Sequence, residues 1–280
     1  MDLQPIDGVA VWTSTGRGEH LDSDARKSVI NAWRETMGSD RLIVATVGPG
    51  NRTDPNEARS SALEMLVDAG GYADFVLVQP PVFSGNPENI ESQVLDFHRA
   101  IAEQGVPLFV SSSCQKSGMI CTQAMMDQLL SMPQVAGIVA STPSFVDLQE
   151  TITYVRMRHP SKAILAGENR LMGYSLYRGC HGALAGLGGI CPVLQRTMID
   201  AWFMGETTRF LEMSRLVDHL AEAVFIEPFE SHIKKLLVGL AHQGIVPADT
   251  ALDPWGAEIT AAEEEYVLAT LDALNEWAYA

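Results

Sequence analysis

This sequence predicts a parallel α/β fold, and three observations lead there. Short apolar runs begin at Val9, Leu42, Phe75 and Leu108, each 33 residues after the last, which is about the length of a strand, a crossover helix and two short loops. Each run is followed by a helical pattern of apolar residues, so the connections are crossovers and the sheet is parallel. The repeat continues with apolar runs at 135–139, 163–166 and 182–186, so seven strands can be counted.

Local signals justify each element in order. The first run, 9–12, ends in Thr13-Ser14-Thr15-Gly16-Arg17-Gly18-Glu19. Asp22 and Ser23 can cap a helix with Ala25, Val29, Ile30, Trp33 and Met37 on one face, and Gly38 stops it. The second run, 42–47, leads through the loop 48–53 to Asp54-Pro55, a cap followed by a first-turn proline, and that helix ends at Gly70-Gly71. The third run, 75–78, is followed by Pro80-Pro81 and Asn86-Pro87, then a helix to about Gly105. A fourth opens at Leu108, and a fifth, 135–139, lies beyond a helical segment and the break at Pro133. Past Gly186, helical patterns near 197–204, 207–225, 231–242 and 261–279 exceed what a last strand and helix unit needs. They read as an appended helical layer with no Gly/Ser linker before it.

Two architectures fit such a repeat. A doubly wound open sheet usually carries a glycine-rich turn after its first strand, and Gly48-Pro49-Gly50 continues into no G-x-G-x-x-G. A closed (β/α)₈ barrel has the right length but needs one more strand. A formal charge of -16 disfavours a surface that tracks phosphates, so no nucleic-acid partner is expected. The first residues lack the basic and apolar regions of a signal peptide, and no apolar run approaches a bilayer span, so the expected location is cytoplasmic with no membrane partner. The four cysteines form no C-x-x-C pair and read as buried reduced thiols. No metal, nucleotide or flavin signature is present, so no cofactor is expected.

Together these segments resemble the dihydrodipicolinate synthase and N-acetylneuraminate lyase family of class I aldolases. Residues 13–19 and Leu21 resemble its G-T-T-G-E segment. L-F-V-S-S-S-C-Q-K-S-G, 108–118, resembles its Y-N-x-P-x-R-T-G segment, and 135–141 its G-I-K-D-S strand. Ala166-Gly167-Glu168-Asn169 is similar to the G-x-D turn, 182–192 to the glycine-rich eighth strand, and 231–244 to the late helix carrying K-x-x-L-x-x-x-G. The resemblance implies a TIM (β/α)₈-type barrel over residues 1–200. Residues 201–280 would form a helical extension packed on it, the whole being one structural domain. Only seven residues stand before Gly8, where the family has its first strand and helix, so the first βα unit is expected to be missing. The resulting seam would be closed by pairing of the strands at Val9 and Gly182, by residues 1–6, or by a partner subunit. Dimers or tetramers are implied.

The same resemblance assigns the site. Its Schiff-base lysine falls on Val139 and its relay tyrosine on Ser111, and neither can do that chemistry, although Ser111, at the end of its strand with Ser112 and Ser113, offers hydrogen bonds to substrate and is a candidate site residue. Lys162 starts its strand, on the stability face of a barrel, and cannot substitute. Lys116 falls on the arginine that receives a keto-acid carboxylate; a lysine keeps the charge without the bidentate fork. Thr15 and Arg17 lie in the G-T-T-G-E turn as further substrate-binding groups. Glu168 is the candidate acid or base, with helix capping as its plainer role. The expectation is a lyase-like enzyme acting on a small carboxylate or carbonyl compound without imine formation. The alternative is an inactive descendant serving as a binding or assembly subunit.

Overall fold

The computed structural model describes residues 4–114, 119–142, 144–226 and 229–278. Lys116, and residues 1–3 of the segment expected to close the first barrel position, lie outside this range. The chain gathers into two compact units, one of Ile6–Gly167 with Arg178–His181, the other of Glu168–Tyr177 with Gly182–Ala280.

In the first unit, strands β1 (Gly8–Val11), β2 (Leu42–Val47), β3 (Phe75–Val78), β4 (Leu108–Ser111), β7 (Val135–Ala140) and β8 (Ala163–Ala166) lie side by side in that order. Every pairing among them is parallel. Between β4 and β7 a two-residue antiparallel ribbon, β5 (Ser113–Cys114) with β6 (Met119–Ile120), precedes α4 (Gln123–Leu130). The other crossovers are α1 (Ser23–Met37), α2 (Pro55–Ala69), α3 (Pro87–Ala102) and α5 (Phe145–Arg158).

These helices begin and end where the local chemistry predicts. Asp22 accepts from the Ala25 amide at 2.8 Å, and Asp54 accepts from Asn56 and Glu57 ahead of the first-turn Pro55. Gly38 and Gly70 end α1 and α2 at φ 65° and 53°, a region that glycine enters without Cβ strain. Trp33, expected on the buried face of α1, is instead 39% exposed, while Ile30 and Met37 carry the packing.

The second unit contains α6 (Met172–Arg178, of which Arg178 falls to the first unit), the two-residue strand β9 (Gly182–Ala183), α7 (Pro192–Phe203), α8 (Thr207–Phe225), α9 (His232–His242) and α10 (Ala261–Ala278). With β9, the seven strands of the repeat are present, and helices follow them as expected. α8 packs on α7 and α10, and α9 on α10. Lys235 of α9 is fully buried; its Nζ lies 3.0 Å from Glu263 of α10 and donates to the Ile226 carbonyl at the end of α8. One cation thereby ties three helices together.

Three boundaries differ from the sequence reading. Trp12 leaves the first strand at φ 61°, and its indole donates to the Arg26 carbonyl. The run 182–186 is a strand only to Ala183, because the chain then turns with Gly188 N bonded to Ala185 O. The helix expected near 197–204 starts five residues earlier, with Cys191 as its left-handed N-cap and Pro192 in the first turn.

Asp68 of α2 holds α1 in place. It accepts from Ser23 Oγ at 2.6 Å and Arg26 Nε at 2.7 Å, and lies 3.2 Å from Lys27 Nζ. Burial alone would raise its pKa, but the bonds from Ser23, Arg26 and Lys27 outweigh it and hold the carboxyl below its ordinary value. A group whose folded pKa is depressed stabilises the fold above its unfolded pKa, and that contribution is lost as pH falls through the folded value. Asp68→Asn should therefore cost about 3 kcal/mol at neutral pH. The gap to wild type should begin to close as pH drops below the unfolded carboxylate pKa and vanish only below the depressed folded one, as measured by urea titrations across pH.

Candidate active site

Residues paired across parallel strands share a face, so the register alone builds two rows on the sheet. Thr46, Leu77, Phe109 and Gly137 are level with one another. Two residues further along, Ser111, Val139 and Leu165 form the next row, toward the C-terminal ends of the strands. On the opposite face Val47, Val78, Val110, Ile138 and Ile164 are all buried to within 2% of complete, as packing under the crossover helices requires. The rows of Thr46 and Val139 lie on the other face of the sheet, where Leu77, Phe109 and Ser111 keep 6–8% exposure. None of their seven residues is charged.

Ser111 and Val139, predicted to belong together, are direct neighbours. Ser111 Oγ is 2.9 Å from Ser141 Oγ, and Ser112 Oγ accepts from the Ser141 amide at 3.2 Å. Ser112 N donates to Val139 O, and Cys121 N to Ser112 O, so this corner is tied together through its backbone. Val139 is 3% exposed. Its side chain is packed against the backbone that ends β8, since a Cβ on Gly167 would lie 2.5 Å from Val139 Cγ1 and 2.9 Å from Ser141 Cβ. The imine position of the resemblance is thus occupied by an apolar branched side chain.

Thr15 and Arg17 sit on the turn that follows β1. Gly16 N donates to Thr13 Oγ1, Arg17 N to Ser14 O and Gly18 N to Thr13 O, which places Arg17 at φ 52°. Both side chains are half-buried. Glu168, in the second unit, is buried and caps the short turn Asn169–Leu171: its Oε1 accepts from Arg170 N at 3.2 Å and lies 3.5 Å from Arg170 Nε. This is the plainer of its two predicted roles. Lys116 is outside the described residues.

The remaining lysines are all engaged elsewhere. Lys27 pairs with Asp68, and Lys234 donates to the Ala251 carbonyl. Lys162 donates to the Val135 carbonyl at 2.5 Å, where β7 begins, which confirms it on the N-terminal edge of the sheet. Lys235 is the buried partner of Glu263.

Two residues of this face escaped the sequence reading. Ser141 ends the matched G-I-K-D-S strand, and that match was its signal. Thr46 is the one polar residue in the apolar run 42–47. It is 2% exposed, and its Oγ1 has no hydrogen-bond partner among the described residues. Such a hydroxyl forfeits about 1–3 kcal/mol relative to a paired one.

Parallel strands joined by helices, with a polar corner at their C-terminal ends, make this an α/β protein of the TIM-barrel-like class. The model of the dihydrodipicolinate synthetase family matches residues 3–274, and the chain belongs to that family. It is 26% identical to a 4-hydroxy-tetrahydrodipicolinate synthase of Synechococcus sp. (strain CC9605) over 79% of this chain and 70% of that protein. It is 22% identical to an N-acetylneuraminate lyase of Histophilus somni (strain 2336) over 85% of this chain and 77% of that protein. A monomeric dihydrodipicolinate synthase variant shares its fold with a TM-score of 0.85 at 15% identity, covering 97% of this chain and 87% of that one. The extra C-terminal helices are part of this fold. No helix among the described residues is long and apolar enough to cross a membrane.

The contact at Gly167 is directly testable. Gly167→Ala should destabilise the protein by about 2 kcal/mol, since the added methyl overlaps Val139. Adding Val139→Ala should return part of that loss, although the Ser141 contact remains. A double-mutant cycle of unfolding free energies in which the two effects simply add would show that Val139 is not the group in the way.

Proposed function

We propose that this protein is a lyase-type enzyme of the aldolase superfamily that handles a small carboxylate or carbonyl compound without forming an imine. The observation that carries this reading is Val139. The resemblance puts the imine lysine there, the residue is a packed valine, and every described lysine has a partner elsewhere. A Schiff base needs a desolvated but reachable amine, which these contacts do not offer.

In this reading Ser111, beside Ser141, hydrogen-bonds the substrate oxygen, and Thr15, Arg17 and Lys116 receive the carboxylate or its equivalent. Glu168 is the candidate acid or base of this reading, and its Oε2 is the oxygen its cap does not use. A single domain, a cytoplasmic location and a dimer or tetramer accompany the proposal. The competing reading is an inactive binding or assembly subunit; it draws support from Glu168 serving as a cap.

Pyruvate with borohydride should leave no reduced adduct on the protein. Mass spectrometry showing such an adduct on any lysine would overturn the non-imine reading. Val139→Lys alone should remain inactive in retro-aldol assays, because the relay tyrosine is also absent and catalytic groups that act as a unit are not additive. Turnover by that variant would show that Ser111 does not stand where the relay belongs.

A further inference from the structure

One edge of β8 is closed by a side chain in place of a strand, and that side chain is a histidine. We propose that His181 is an acid-sensitive switch on this strand: its neutral imidazole holds the edge shut, and protonation releases it. The inference goes beyond the reading above and does not depend on it, since it concerns the strand and not the ligand.

In a parallel sheet, alternate residues turn their N–H and C=O groups to the same neighbour. Gly167 N donates to Ala140 O on the β7 side, so Ile164 points to the opposite edge. There the Ile164 carbonyl accepts from the His181 amide at 2.8 Å, as in an ordinary ladder. The Ile164 N–H donates to His181 Nδ1 at 3.0 Å, where a neighbouring strand would offer a main-chain carbonyl. One residue thus satisfies both groups, one with its backbone and one with its ring.

This bond fixes the protonation state. A backbone N–H can only donate, so Nδ1 must keep its lone pair and the ring is the neutral Nε2–H form. Protonation puts a hydrogen on Nδ1 and sets donor against donor. Ile164 is fully buried, so its released N–H meets no water unless the edge opens, and buried N–H groups are seldom left unpaired. His181 itself is exposed, and protons reach it freely.

The charged groups on the surrounding elements give an imidazolium no support. Lys162, two residues before Ile164, donates to the Val135 carbonyl, and Arg156 of α5 donates to the Arg178 carbonyl. Asp127 of α4 is engaged by His159 and Tyr154. Burial pushes the adjoining Cys180 thiol up to about 12, so it stays neutral. Folding through this bond excludes a proton that an unfolded chain takes up below about pH 6.5, the ordinary range of an imidazole, so the edge weakens as the solution is acidified through it. β8 runs from this bond to Gly167, which packs on Val139 and Ser141, so the switch bears on the polar corner.

Amide hydrogen exchange read by NMR, as protection factors at pH 8 and pH 5, tests this on wild type, His181→Asn and His181→Phe. An asparagine oxygen accepts at either pH, whereas phenylalanine has no acceptor. Protection of the Ile164 amide should fall about tenfold or more from pH 8 to pH 5 in wild type, stay level in His181→Asn, and be low at both pH values in His181→Phe. The other histidines are common to all three proteins, and His98, held to about 4 by burial, lies below this window. A flat wild-type profile, a fall in His181→Asn equal to that of wild type, or a His181→Phe amide as protected as wild type at pH 8 would each overturn the proposal. Imidazole 15N spectra of wild type need no variant: they should show His181 Nδ1 without a proton at pH 8, and a protonated Nδ1 there would refute the switch outright.

Discussion

The site in the first unit depends on the hydrogen-bonded register of six parallel strands. Because paired residues on parallel strands share a face, fixing Ser111 opposite Val139 and Val139 opposite Leu165 decides at once which side chains can meet a ligand. A slip of one residue would turn Val110 and Ile138 toward that face and bury Ser111 beneath the helices. The fully buried row from Val47 to Ile164 opposes such a slip, since exposing any of its side chains would forfeit about 1.5–3 kcal/mol of hydrophobic stabilisation. Packing on one face of the sheet thus enforces chemistry on the other.

Close approach of backbones sharpens this constraint. Gly167 lets the end of β8 pass against Val139 and Ser141, and Gly137 does the same for β7 against Ala163. A side chain at either position would push strands apart where the Ser111–Ser141 pair and the Ser112 bond to the Ser141 amide have tolerances of a few tenths of an ångström. The polar corner is therefore held by glycine positions that make no hydrogen bond of their own through a side chain.

Among the described residues, the two rows of the sheet face hold no charged side chain. Asp68 gathers Arg26 and Lys27 between α1 and α2, Lys162 closes onto carbonyls at the N-terminal edge, and Glu263 receives Lys235 among the C-terminal helices. The two rows at the strand ends then carry only hydroxyl groups and apolar side chains. In the reading proposed above, hydrogen-bonding groups stand in place of an amine, and two identities, Val139 and Ser111, separate this chain from the family pattern.

Much of the fold was legible in the sequence because its signals are local. The first four strand starts recur every 33 residues, Asp22 and Asp54 stand where N-caps belong, and Gly38 and Gly70 follow the last helical residues; the caps and stops act within one turn of chain. The boundaries that were misplaced, at Trp12, Ala183 and Pro192, depend on backbone conformations set by neighbouring elements: an indole bonded to α1, a 3-10 turn, and a left-handed Cys191. The candidate site was legible only as an inventory. The sequence by itself determined that Val139 has no amine and Ser111 no phenol, because identity needs no fold. Only the tertiary structure decided that Ser111 meets Ser141 across 30 residues, that Glu168 spends Oε1 on a cap, that four lysines are committed elsewhere and that Thr46 is left without a partner. The reason is physical: a hydrogen bond is satisfied or orphaned by which distant strand or helix arrives beside it, and no residue carries that information in its own neighbourhood of the chain.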